Sequence, residues 1–377
     1  MMIDDYSVCT RCIMDTTVPD IRFDGAGVCQ FCRQFEERMA RELYADNEGQ
    51  ARLHAITQKI KRRGAGREYD CLIGVSGGVD STYVAYLVKK KHGLRPLAVH
   101  LDNGWDTELA VANVEQVLKR LDIDLYTYVL DWEEFKDLQL SFLKSSISNA
   151  EIPTDHAIWA LLIRTAAERN IPYIISGSNI ATEALMPESW LYGSKDARLI
   201  KGIQRQFGHY RLKSFPQLST FDFVYFLLVR GVKWIPILNY VPYVKQEAKR
   251  VLIDELGWRD YGGKHYESIF TRFFHAYYLP RKFGYDLRRS YLSALILSGQ
   301  MTRDEALREI KSPPAPADQL EEDREFVIKK LGLSPEEFEQ IMTAPPKTFS
   351  DYPNGDALWR KFDSLVQTIR KRIIDIG

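Results

Sequence analysis

One short stretch limits what this chain can fold into more than any other. The apolar run Cys71-Leu72-Ile73-Gly74-Val75 passes directly into Ser76-Gly77-Gly78-Val79-Asp80-Ser81. A segment follows in which Val84, Leu87 and Val88 repeat at helical spacing, with Gly93 as a stop. Buried strand, glycine turn and amphipathic helix, in that order, open a strand–helix–strand unit. Two adjacent glycines let backbone approach an anion closely, and the start of the helix offers N–H groups at the positive end of its dipole. Ser76 and Ser81 add hydroxyl donors. No G-x4-G-K-[ST] sequence occurs, and Gly257–Lys264, the nearest imitation, is out of register. A glycine turn alone can be a plain connection, but strand, S-G-G-x-D-S and helix together point to a phosphate.

The same alternation repeats downstream. Further apolar runs lie at Pro96–Leu101, Leu125–Leu130, Tyr173–Ser176 and Trp234–Leu238. Between the first two of these, Ala110, Val114, Val117, Leu118 and Leu121 make one helix face, and another helical pattern begins near Thr154-Asp155. Such spacing predicts an α/β fold with a doubly wound parallel sheet, binding ligands beyond the carboxyl ends of its strands. At 377 residues and 45% hydrophobic content, the chain can bury a large core, which excludes a disordered segment or a disulfide-stapled miniprotein. Lys plus Arg and Asp plus Glu both total 51. That balance argues against a nucleic-acid partner. No apolar run is long enough to span a bilayer, and the start lacks a basic region followed by an apolar one, so a cytoplasmic location away from membranes is expected.

Four of the five cysteines cluster as C-x2-C, sixteen residues, C-x2-C: Cys9, Cys12, Cys29 and Cys32. Two such knuckles can place four thiolates about 2.3 Å from one tetrahedral Zn²⁺. With four protein ligands no position is left for water, so the expected zinc is structural. Cys71, inside its apolar run, reads as an inert strand residue.

Beyond residue 250 strand patterns stop. Residues 258–285 hold ten aromatics, and Thr302 with Glu305 and Ser334 with Glu337 read as capping boxes flanking a Pro-rich linker at 312–316. The aromatic stretch could be core, a dimer-forming helix or a wall that excludes water. These shifts divide the chain into a zinc ribbon (1–45), a helical linker (46–69), a sheet domain (70–250) and a C-terminal helical, aromatic-rich substrate or assembly region (251–377).

The loop Ser76–Ser81 resembles the signature of the PP-loop ATP pyrophosphatases, which cleave ATP between its α- and β-phosphates. The segment Ser176–Ala184 is similar to the T-G-T-x4-E stretch of NAD synthetase, and residues 236–247 resemble its L-x-x-L-x-K-x-E-V stretch. The resemblance implies a five-stranded sheet in the order 3-2-1-4-5. It implies ATP held by Ser76, Gly77, Gly78, Asp80, Ser81 and Gly177, with adenine near Leu101 and Asp102. It further implies Mg²⁺ on Asp80 and Glu183, and Lys245 on phosphate or the acyl-adenylate. Glu183 and Lys245 could otherwise be solvated helix residues.

Within this superfamily several branches fit poorly. No cysteine follows the initiator as a glutaminase nucleophile, none occurs after Cys71 to serve a thiolase, and the G-H-x-x-D-D pattern is absent. The four-cysteine ribbon, the loop and W-R-D-Y-G-G-K-H-Y-E-S at 258–268 together resemble the N-acetyl sugar amidotransferases of O-antigen and nonulosonic acid biosynthesis. That resemblance implies conversion of an acetamido group on a nucleotide-activated sugar into an acetamidino group. Ammonia would come from a separate glutaminase subunit, aided by a cyclase-like subunit. Lys264, His265, Glu267, Ser268 and Arg272 would meet the substrate. As basic residues near strand ends, Lys195 and Arg198 are candidates for its diphosphate. His156, at the start of the helix entering strand four, is a candidate general base, and Asp155 beside it is either a group on the ATP side of the sheet or a helix cap. The alternatives are a zinc-ribbon PP-loop enzyme that modifies tRNA, and a zinc-ribbon scaffold with a degenerate ATP site.

Overall fold

A computed structural model describes residues 6–362. Two cysteine knuckles, each with an antiparallel bridge (Val8 to Asp15, Phe23 to Cys29), lead into α1 (Gln30–Glu42) and α2 (Asn47–Gly64). The sheet unit follows as β1 (Cys71–Gly74), α3 (Val79–Tyr86), β2 (Pro96–Asp102), α4 (Glu108–Leu121) and β3 (Asp124–Val129). It continues through α5 (Trp132–Ser145), α6 (Ile152–Glu168), β4 (Tyr173–Ser176) and β5 (Lys233–Pro236). All pairings are parallel and the order is β3-β2-β1-β4-β5, so the chain reverses direction beside β1. In such a sheet the crevice at the carboxyl ends of β1 and β4 is where a ligand fits.

Local chemistry explains the element ends. Asp46, Thr107 and Asp131 accept hydrogen bonds from the backbone N–H three residues on, capping α2, α4 and α5. The Thr302 and Ser334 capping boxes are both formed. Central β1 is shielded on both faces, as a doubly covered parallel strand must be, whereas edge strand β3 is largely open to solvent. Two boundaries differ from expectation. β5 ends at Pro236, and the apolar Ile237 and Leu238 bury themselves in a 3₁₀ turn instead of extending the strand. α6 starts at Ile152, two residues early, because Pro153 fits the first helical turn.

The cysteine knuckles and the helices beyond residue 269 meet. One hydrophobic core includes the four cysteines, Trp105 and Phe135 from the middle of the chain, and Phe270, Phe273, Phe274 and Tyr278. Arg303 donates to the carbonyls of Cys12 and Cys9 at 3.0 and 2.9 Å, and Arg289 pairs with buried Asp15 at 2.9 Å. The aromatic stretch is therefore core along 270–278. Cys71 is fully buried in β1 and desolvation pushes its thiol up, as expected of an inert residue. Among the described residues no helix is long and apolar enough to cross a membrane.

Candidate functional site

The Ser76–Ser81 loop leaves β1 at the switch point and enters α3. Gly77 adopts φ +81°, and a Cβ there would lie 2.7 Å from the Tyr261 hydroxyl and 3.0 Å from the Ala110 carbonyl. Gly177, at the end of β4, approaches the same loop: a Cβ on it would sit 2.9 Å from the Asp80 carbonyl carbon. Both positions therefore require glycine to bring backbone against backbone. Gly78 caps α3 with no side-chain hydrogen bond to the first turn. The Ser76 and Ser81 hydroxyls are 3.2 Å apart beside it. Trp258 Nε1 and the Tyr261 hydroxyl both donate to the Gly77 carbonyl at 2.8 Å. An oxygen that would repel a phosphate is thereby bonded twice by a strap from the far end of the chain.

Two adjoining cavities open around this loop. The first, about 530 Å³, has an apolar side formed by Val99, Leu101, Ile158, Leu161 and Leu162, above Gly74 and Val75. The second, about 620 Å³, is bounded by Gly78, Asp80, Gly177, Lys245, Lys249, Gly262 and Gly263. Ser76, Ser81, Glu183, Lys264, His265 and Glu267 line both.

Charges in the second cavity are matched. Tyr243 donates its hydroxyl hydrogen bond to Asp80, and Lys245 Nζ lies 3.9 Å from the same carboxylate. Burial, then the Asp80 charge, pushes the Tyr243 hydroxyl up, so it remains a donor. Lys264 Nζ is 3.5 Å from Glu183. Two carboxylates facing one cavity beside backbone N–H groups make a hard-oxygen donor set that could hold Mg²⁺ once phosphate oxygens complete it.

The first cavity carries buried acid groups. Burial, then the Asp155 charge, pushes Glu151 up to about 8, and burial pushes Asp155 up to about 7. The Thr271 hydroxyl donates to Glu151 at 3.1 Å. Burial alone would also raise Glu267, but the neighbouring His265 outweighs it and the carboxyl sits below its usual value. Burial would lower His100, yet Asp106, 3.0 Å from its Nε2, raises it.

The structure brings most of the expected residues together. Ser76, Gly78, Asp80, Ser81, Gly177, Glu183, Lys245, Lys264, His265 and Glu267 all line the second cavity, Leu101 and Ser268 line the first, and Gly77 shapes the loop. Five expectations need correction. His156 is fully buried with both ring nitrogens engaged, Nδ1 with the Ser194 carbonyl at 2.8 Å and Nε2 accepting from Leu218 N–H at 3.1 Å. Burial lowers it to about 4, and it lines neither cavity. Arg272 reaches the second cavity, but its guanidinium is committed to buried Asp323 by bonds of 2.6 and 2.7 Å. Asp102 turns back to accept from Gly104 N–H at 2.8 Å and lines neither cavity. Lys195, 4.4 Å above the Trp159 ring, and Arg198, in a helix over residues 197–207, also lie outside both linings.

Sequence reasoning missed Glu151, His100, Tyr243 and the Trp258–Tyr261 strap, and left Asp155 open between a helix cap and a site residue. Glu151 and Asp155 are four residues apart at a helix start, a spacing indistinguishable from ordinary dipole chemistry. The contacts of Tyr243 and Trp258 span 163 and 181 residues of sequence and leave no local signal.

At the other end, the four cysteine sulfurs lie within 4.8 Å of one another, all fully buried. Cys9–Cys32, Cys12–Cys29 and Cys29–Cys32 are each 3.7 Å apart. A tetrahedron of ligands about 2.3 Å from its centre has edges of about 3.8 Å. Backbone N–H groups of Cys12 and Cys29 point at Cys9 Sγ from 3.4 and 3.3 Å, which suits a thiolate. The cluster is shaped for one closed tetrahedral ion.

Residues 267–366 carry a family match. They fit the model described as "LPS biosynthesis protein WbpG-like, C-terminal domain". Across most of its length the chain is also similar to the uncharacterized protein MJ1599 of Methanocaldococcus jannaschii. The two are 23% identical over 340 residues, which is 85% of this chain and 99% of that protein. Among solved structures, the NH3-dependent NAD synthetase from Campylobacter jejuni is 16% identical, covering 81% of this chain and 97% of its own, with a TM-score of 0.32. NMN synthetase from Francisella tularensis is 15% identical over 80% of this chain and 97% of its own, also at 0.32. The fold assignment itself rests on the strand order and the position of the loop.

Proposed function

We propose that this protein is an ATP-dependent amidotransferase that activates the acetamido oxygen of an N-acetylated nucleotide sugar as its AMP ester and displaces AMP with ammonia. The product would be an acetamidino sugar for surface polysaccharide biosynthesis. One observation carries the reading. The phosphate loop and the start of the LPS-biosynthesis segment share a wall, with Glu267 Oε1 only 3.0 Å from where a Gly78 Cβ would lie.

An amide carbon is a poor electrophile, and its oxygen a poor leaving group. Attack of that oxygen on the α-phosphorus releases pyrophosphate and makes the oxygen part of a good leaving group. Ammonia then adds to the carbon, and AMP departs. In this reading adenine fills the apolar cavity against Leu101 and Leu161, while the phosphates lie along Ser76–Ser81. Asp80 and Glu183 would hold Mg²⁺, which neutralises phosphate charge. Lys245 and Lys264 would follow the charge that develops as pyrophosphate leaves. The nucleotide sugar would enter by the second cavity. Ammonia would come from a separate glutaminase subunit with a cyclase-like subunit, the chain acts in the cytoplasm, and zinc in the cysteine cluster is structural.

The test is incubation of candidate nucleotide sugars with ammonium and Mg-ATP, followed by mass spectrometry. The expected result is AMP and pyrophosphate, with a sugar whose mass reflects exchange of oxygen for NH. AMP formation stimulated by tRNA but by no sugar would instead select a tRNA-modifying enzyme.

A further inference from the structure

Amination of the activated sugar requires a base, and with His156 sealed in the core another group must fill the role. Among the described residues, three histidines line the cavities: His100, His265 and His275. Both nitrogens of His100 are engaged, by the Val75 carbonyl at 2.9 Å and by Asp106. His275 has its basicity pushed far down, by burial and then by the neighbouring His265 and Lys264 charges.

His265 differs in three ways. Its backbone is left-handed, φ +63°, directly after the Gly262-Gly263 pair and Lys264. Few residues other than glycine are held there unless their surroundings over-determine it, and such strain gathers at functional sites. Its side chain, 35% exposed, opens onto both cavities at their shared wall. Its Nδ1 faces Glu267 Oε1 at 3.8 Å, too long for a hydrogen bond but close enough for the carboxylate to orient the ring. Glu267 is in turn fixed from both sides: its carbonyl accepts from Thr107 N–H at 2.9 Å, and Ser268 bridges to Asp106. The His275 ring meets His265 edge-on at 5.0 Å and closes off the back of the imidazole. No hydrogen bond to a protein group engages the remaining nitrogen, Nε2, among the described residues.

Resting on the adenylation reading above, we infer that His265 is the general base of the amination step, oriented by Glu267, and that Nε2 takes the proton from the attacking nitrogen. The activated amide keeps its N–H, so the imidate nitrogen is protonated. The ammonia lone pair forms the new C–N bond at the imidate carbon as the C=N π pair returns to the imidate nitrogen, and the incoming nitrogen is left positively charged. Nε2 accepts one of its protons. The electron pair so released forms the C=N bond as the C–O bond breaks, and AMP leaves with the C–O pair. Glu151 and Asp155 line only the first cavity, away from this shared wall, and Lys264 is engaged with Glu183.

The experiment uses His265→Gly in the full chain, because glycine accepts the left-handed backbone and the variant should fold with an imidazole-sized hole. With a nucleotide sugar that the wild type converts, amidino product should fall about 10²–10³-fold. Sugar-dependent exchange of labelled pyrophosphate into ATP should fall by at least about tenfold less than amination, because adenylation does not need this base. Added imidazole should restore amination at least about tenfold. Unchanged amination, an equal fall in exchange and amination, or loss without imidazole rescue would each overturn the assignment. His265→Asn, which also tolerates the backbone, should lose amination without responding to imidazole; normal amination by it would likewise overturn the assignment. A wild type that exchanges pyrophosphate with no sugar at all would instead remove the adenylation reading, and the base assignment with it.

Discussion

The cysteine cluster and the crevice around the Ser76–Ser81 loop are opposite solutions to grouping polar atoms. In the cluster, four sulfurs from one short segment converge within 4.8 Å of one another and are completely buried, a spacing that suits one enclosed ion. In the crevice, Asp80, Glu183, Lys245 and Lys264 come from separate parts of the chain and line open volume, and each is only loosely balanced by an opposite charge 3.5–3.9 Å away. A closed site saturates its ligands and serves stability. An open one keeps charge available for a ligand whose own charge changes during reaction.

The comparison can be broken by mutating each side and measuring both activity and melting. The largest effect is expected from Asp80→Ala, which removes the carboxylate bonded by Tyr243 from the cavity wall. AMP production should fall by on the order of 10³-fold or more, with Tm nearly unchanged. An active Asp80→Ala enzyme would show that the crevice does not use its carboxylates. Cys29→Ser should behave in the opposite way: metal content, read by elemental analysis, should drop well below one per chain, and Tm should fall by about 10 °C or more. Unchanged metal stoichiometry would count against a four-thiolate site.

The smallest effect sharpens the description of the crevice. Glu151 titrates near 8 in the folded protein against 4.5 for a free side chain. A carboxyl raised by folding binds its proton more tightly in the folded state, so the stability it favours is fully present below the unfolded value and declines as pH rises toward about 8. Glu151→Gln removes that decline. Its Tm should exceed wild type by roughly 2–5 °C at pH 8.5, with the difference closing near pH 4. A gap that persists at pH 4 would mean that glutamine stabilises by packing and not by loss of charge.

Legibility followed sequence distance. The loop could be read from six consecutive residues, because a strand, a glycine turn and a helix start are each encoded locally. The thiolate set could be read from spacing alone, since C-x2-C already places two sulfurs on one knuckle. Glu183 and Lys245 were found through segments similar to other enzymes. Arg272 was misread as a substrate contact because the burial of Asp323, fifty-one residues away, cannot be seen in its neighbourhood. His156 was misread for a related reason. A histidine at a helix start looks like a base until the loops at Ser194 and Leu218 fold over it and take both nitrogens.

What the amino-acid order determined by itself was therefore the set of short-range units: five strands alternating with helices, the capped helix ends, the glycine turn at the head of α3 and the four-sulfur knuckles. Each depends on backbone preference and apolar period within one or two dozen residues. Only the tertiary structure decided that Trp258 and Tyr261 clasp the Gly77 carbonyl and that the cysteine knuckles pack against the helices beyond residue 269. Only it seated His265 at the meeting of two cavities. Those outcomes depend on which buried surfaces find each other across well over a hundred residues, a choice made by the packing of the whole core and by no single segment.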